Sequence, residues 1–87
     1  MERKVDLKTY IPEKGVWVST VAYDCEIGFG RKSETMVFRG DESGITDFTD
    51  LYFESHGYET DPERLRKEHE RIVEGIRSGE IEIWEVR

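Results

Sequence analysis

Cysteine is almost missing from this 87-residue chain. Cys25 stands alone, which excludes an intrachain disulfide and a cysteine-based zinc knuckle and fits a reducing cytoplasm. Proline is scarce too, with only Pro12 and Pro62. Pro12 breaks a continuous ladder near the N-terminus, and Pro62 presets the first turn of a helix. No apolar run approaches the ~20 residues of a membrane span, and Met1-Glu2-Arg3-Lys4 leads into no signal-like segment. No membrane association is expected. Catalytic signatures are also missing: there is no serine nucleophile elbow, no HExxH and no phosphate loop. We therefore expect no enzyme, no cofactor and no resident metal.

The last thing lacking is positive charge, over one long stretch. Asp41, Glu42, Asp47, Asp50, Glu54, Glu59 and Asp61 fall in a segment without a single Lys or Arg. Elsewhere acids and bases balance, so the net charge of -7 comes from this segment. Such a surface repels the backbone of duplex nucleic acid and attracts basic partners, among them nucleic-acid-binding proteins. Phe48, Tyr52 and Tyr58 lie within the acidic run and would supply aromatic anchors for a protein contact.

What the chain does contain is one fully punctuated helix, from Thr60 to Gly79. Thr60 with Glu63 reads as a capping box, and Asp61-Pro62 fills the first turn. Leu65, His69, Ile72, Val73 and Ile76 recur on one stripe, and Gly79 suits the left-handed cap. Three strands precede the helix: Gly15–Glu26, Ser33–Arg39 and a third from Ile45 to Ser55 with a bulge near Asp50. Residues 80–87 alternate as a last strand. Residues 1–14 read as an irregular arm or a short edge strand at Val5-Asp6-Leu7.

The expected fold is one small α+β domain over residues 1–87, an antiparallel β-β-β-α-β sheet with the helix across one face, a two-layer sandwich. The helix is expected to cover Trp17, Val21, Tyr23, Met36, Phe38, Ile81 and Ile83. Val16, Val18, Ala22, Val37, Trp84 and Val86 would then lie half exposed on the other face, which argues for a homo-oligomer, most simply a dimer through the uncovered face or an edge strand.

Glu34-Thr35-Met36-Val37-Phe38, followed by an acidic turn and by Thr60, Glu63, His69-Glu70 and Ile72-Val73, resembles a group of small phage and prophage proteins. The resemblance implies viral origin, the host cytoplasm and an accessory role, and supplies no catalytic residues. The reading that follows is a non-enzymatic protein that blocks or modulates a host factor, such as a defence component, through its acidic surface. A second reading is an oligomeric module that sequesters a nucleotide-like signal, with Arg31, Lys32 and Arg39 on phosphates and Trp17 or Trp84 stacking on the base. A minor structural protein is the third.

Among single residues, His69 on the inner stripe is expected to be a hydrogen-bonded boundary histidine rather than a general base. His56 with Asp47, Asp50 and Glu54 is an acid-rich set matching no calcium-loop spacing. Cys25 is expected as a small apolar filler at a strand end.

Overall fold

The computed structural model describes residues 3–84. Four strands, β1 (Arg3–Ile11), β2 (Val16–Tyr23), β3 (Ser33–Asp41) and β4 (Gly44–Ser55), precede one helix, α1 (Pro62–Ser78). The strands pair antiparallel in the order β1-β2-β3-β4, and α1 packs on one face of the sheet, chiefly over β1 and β2. The architecture is an α+β two-layer sandwich. No helix of the described residues is long and apolar enough to cross a membrane.

The fourth strand comes from the N-terminus and not, as expected, from the C-terminus. Pro12 falls just after Ile11, inside a turn closed by the Gly15 amide donating to the Ile11 carbonyl at 2.9 Å, so it interrupts no ladder. Gly15 takes φ 64 there, a left-handed conformation that suits glycine. Beyond α1, the described residues 80–84 form no strand. The Ile81 amide donates to the Gly75 carbonyl at 2.9 Å and the Trp84 amide to the Leu51 carbonyl at 2.7 Å. Ile81 and Ile83 pack on the core as expected.

The faces of the sheet are the reverse of the expectation. Ile11, Val16, Val18, Val37 and Leu51 meet Ile72, Val73 and Ile76 of α1, and Val5 and Ala22 meet Leu65. Trp17, Val21, Tyr23, Met36 and Phe38 project to the side without a helix, as their register across the sheet requires. Trp84 stays on the helix side against Tyr52, with ring centroids 6.2 Å apart, and Val86 lies outside the described residues. The reason is size and polarity. Small β-branched residues let a helix approach closely, and the same parity carries the threonines that His69 needs. Each buried Val, Leu or Ile in this layer contributes about 1.5–3 kcal/mol.

Strand β2 ends three residues earlier than expected, at Tyr23, whose amide still bonds across to the Lys32 carbonyl at 3.0 Å in the β2–β3 register. Cys25 therefore lies beyond the strand and is exposed, not a filler. On β4 the expected irregularity is present: Tyr52 faces Val37 while Asp47 faces Arg39, leaving Phe48 to Leu51 opposite Phe38 alone. This wide bulge turns Leu51 into the core, where it is 1% exposed.

Helix α1 is capped by Asp61, not Thr60: the Asp61 carboxylate accepts from the Arg64 amide at 3.1 Å. A residue before proline is held extended, and Asp61 has ψ 119, the geometry an N-cap needs. Gly79 closes the helix in the left-handed conformation, φ 85, as expected.

Gly40 has no room for a side chain. A Cβ there would meet the Gly44 carbonyl oxygen and stand 2.5 Å from Trp17 Cδ1. Gly40→Ala is expected to cost about 1–3 kcal/mol, read as a lower urea midpoint.

Candidate functional site

Five side chains form one continuous hydrogen-bonded line between the sheet and the helix. Thr9 Oγ1 lies 2.7 Å from His69 Nε2, and His69 Nδ1 lies 2.8 Å from Thr20 Oγ1. Thr20 Oγ1 is 2.7 Å from Thr35 Oγ1, which is 2.7 Å from His56 Nε2. The fold builds this line simply: Thr20 and Thr35 are register partners on β2 and β3, Thr9 sits on the same face of β1, and α1 sets His69 over them. His69 is 4% exposed, and both its nitrogens are satisfied. It is the buried, hydrogen-bonded histidine that its place on the inner stripe implies.

Burial pushes His69 below the ordinary histidine range, with only a weaker opposing pull from Glu70. Burial also lowers His56, against the pull of Glu54 and Glu68. A neutral imidazole has one donor and one acceptor, so the two bonds of His69 run in the same sense. The other nitrogen of His56 has no hydrogen-bond partner among the described residues, and the ring lines an acidic cleft. A proton on that nitrogen is favoured by the carboxylates around it. Thr35 then donates to His56, Thr20 to Thr35, His69 Nδ1–H to Thr20, and Thr9 to His69 Nε2.

The cleft, of about 510 Å³, is lined by Glu54, His56, Glu59, Arg64 and Glu68 among others. One oxygen each of Glu54 and Glu68 and a ring nitrogen of His56 lie within 4.8 Å of one another. Arg71 already supplies the positive charge: its guanidinium donates to Glu54 at 2.7 Å and to Glu68 at 3.0 Å. Burial opposes the Glu54 charge, but hydrogen bonds from Tyr52 and Arg71 outweigh it and hold the carboxyl below its usual range. Burial and the same Glu54 contact push the Tyr52 hydroxyl up to about 12. Two carboxylates share one guanidinium, so the set keeps a net negative charge. Of the acid-rich set considered around His56, Glu54 is beside it, whereas Asp47 and Asp50 lie on the other side of Leu51 along β4.

The seven acids fall into two groups. Glu54, Glu59 and Asp61 are engaged at the α1 end: Glu54 with Tyr52 and Arg71, Glu59 with Arg64 and the Thr60 and Asp61 amides, Asp61 as the cap. Asp41, Glu42, Asp47 and Asp50 cluster at the β3–β4 hairpin and are exposed. Asp41 and Asp47 fold onto Ser43 and Thr49, whose hydrogen bonds hold both carboxyls below the usual range. Glu42 and Asp50 form no ion pair among the described residues.

Of the three expected anchors, Phe48 stands among this hairpin group, 73% exposed, with its ring tilted on Phe38 at 5.3 Å. Behind it the helix-free face is aromatic. Tyr10 stacks on Trp17 at 5.2 Å, and a groove of about 310 Å³ runs over Val21, Met36, Phe38, Ile45 and Phe48 between Arg3, Lys8 and Glu34. Tyr58 is exposed elsewhere, its hydroxyl donating to Glu26 at 3.1 Å, and Tyr52 is half-buried on the helix side. The residues expected to hold a nucleotide are not brought together. Trp17 donates to the Asp41 carbonyl on the helix-free face, while Trp84 packs on Tyr52 on the opposite side. Arg31 lies over the Phe53 ring at 5.0 Å and pairs with Glu34, Lys32 follows it in the β2–β3 connection, and Arg39 stands opposite Asp47.

No family model, curated protein or solved structure matches the chain. The site therefore carries the functional argument alone.

Sequence reasoning missed the threonine–histidine line. Its signal was available: Thr9 and Thr20 each interrupt an apolar parity, and an inward histidine with two nitrogens needs two polar partners.

Proposed function

We propose that the protein is a non-enzymatic interaction module that binds a basic partner, blocking or modulating a host factor, through the β3–β4 hairpin and the adjoining aromatic face. The observation that carries this reading is Phe48. A phenylalanine left 73% exposed beside Asp47 and Asp50 is poorly placed for stability and well placed as an anchor inside a ring of charge. The acids would steer a basic groove toward the hairpin, and Phe48 with Trp17 and Ile45 would fill it. The fully bonded state of His69 supports a structural role for it rather than catalysis.

The test is capture of host proteins on the immobilised chain at low and moderate salt, followed by affinity measurement with whatever is retained. Phe48→Ala is expected to weaken binding by about 2 kcal/mol, roughly thirtyfold. Asp47→Lys with Asp50→Lys is expected to abolish binding and its salt dependence. Retention that is indifferent to all three substitutions and to salt would remove the proposal.

A further inference from the structure

Strand β1 is an edge with β2 on one side only, and among the described residues nothing pairs with its other side. The opposite edge differs: β4 is bulged and the Trp84 amide already bonds to Leu51. A long edge is normally blunted by charge, and β1, regular from Val5 to Ile11, carries Asp6 and Lys8 on its helix-free face, where Asp6 pairs within the chain with Arg3 at 3.0 Å and Lys8 at 3.4 Å. The pattern of these charges is self-complementary, which blunting alone does not require.

We infer that β1 pairs antiparallel with β1 of a second copy of this chain about a two-fold axis at Leu7, joining the two sheets into one of eight strands. In an antiparallel two-fold pair, residues directly opposite must share a face, so the axis passes through a residue and only a few registers exist. Centring on Asp6 sets Asp6 against its own copy and Lys4 against Lys8. Centring on Lys8 sets that lysine against itself. Centring on Val5 runs the pairing through Lys4, where the β1–β2 ladder shifts register. Centring on Leu7 sets Asp6 opposite the second copy's Lys8 and Lys8 opposite its Asp6, with Val5 opposite Thr9. All five of these positions lie in the regular part of the ladder.

The apolar side agrees with this register. Leu7 is only half-buried, at the rim of the cluster formed by Val5, Ala22 and Leu65. Two copies of Leu7 meeting on the axis would close that rim and join the clusters of the two subunits. Backbone hydrogen bonds and the leucine contact then supply affinity, and the charge pairs select the register, since an exposed pair adds little affinity of its own. The axis is perpendicular to the sheet, so both helices lie on one side and the Phe48 face of each subunit remains free.

The experiment is light scattering at moderate salt over about 1–500 µM, a span chosen to catch weak association, with hydrogen exchange of the β1 amides. The expected result is a mass of two chains that falls to one on dilution, with the outward-pointing β1 amides protected only in the dimer. Asp6→Lys alone and Lys8→Asp alone should each weaken the dimer roughly tenfold or more, because both two-fold contacts become repulsive. The double swap should restore it, and urea midpoints of the single variants near that of the parent chain show that they fold. A monomer throughout the range, single variants without effect, or a double swap as weak as either single variant would each overturn the inference. So would a dimer broken by Phe48→Asp and untouched by the β1 swaps.

Discussion

His69→Ala is expected to destabilise the protein by about 3–5 kcal/mol, most of what an 87-residue domain has to spare. Three losses add together. The imidazole is 4% exposed, so its removal leaves a cavity between α1 and the sheet. Thr9 and Thr20 each lose a hydrogen bond, and Thr9 has no other side-chain partner among the described residues. Helix α1 loses the polar contact that fixes its rotation over β1 and β2. His69→Leu would refill the volume and still leave the Thr9 hydroxyl without its side-chain partner, while Thr20 keeps Thr35, so it should retain a cost of about 1–3 kcal/mol. Adding Thr9→Val to His69→Leu removes the stranded hydroxyl and should recover part of that cost, the sign expected of coupled partners in a double-mutant cycle. Urea midpoints at unchanged slope measure all three. A cost below about 1 kcal/mol for His69→Ala would mean that the line of hydrogen bonds contributes little to holding the layers together.

The same histidine explains how much of the fold was legible in the chain. Spacing alone identified α1, its inner stripe and its Gly79 cap, because local rules govern each of them. The bulge near Asp50 was legible from the broken alternation of β4. The direction of the sheet was not, since both parities of β2 carry apolar residues, Val16, Val18 and Ala22 against Trp17 and Val21. Residue size suggested that the aromatics belong inside. In the fold His69 faces the sheet with two polar atoms, and Thr20 on the Val16 parity receives one of them, while Ser19 on the other parity offers a hydroxyl too, so spacing alone did not choose between the faces. The final strand failed for a related reason: Ile81 and Ile83 alternate as a strand would, but they are used to cover the end of the core beside Gly75 and Leu51. The acidic surface was half legible. Counting charge along the sequence cannot see that Arg64 and Arg71 return from the helix to neutralise Glu59 and Glu54.

Stability is expected to fall as the pH drops below about 6.5, the ordinary value of an unfolded histidine. Both His56 and His69 are held below that value in the folded chain by burial. Between the folded and unfolded values the unfolded chain binds more protons, so acid favours unfolding. The contribution of each histidine is complete above about pH 6.5 and is lost below it, at up to about 1.4 kcal/mol per pH unit each. The two need not contribute equally. Glu54, Glu59 and Glu68 surround His56 and favour its cation, with Arg71 opposing them, whereas His69 has only Glu70 to offset its burial. The carboxyls held low, Asp6, Asp41, Asp47, Glu54 and Glu59, lose their contribution only in more acid solution, below about pH 4.5, and leave the histidine window clear. His56→Gln can keep a hydrogen bond to Thr35 while removing one titration, so the remaining slope reports His69. Thermal midpoints measured from pH 8 to 5 on both chains check this, and a flat profile would mean that neither ring is held neutral by its surroundings.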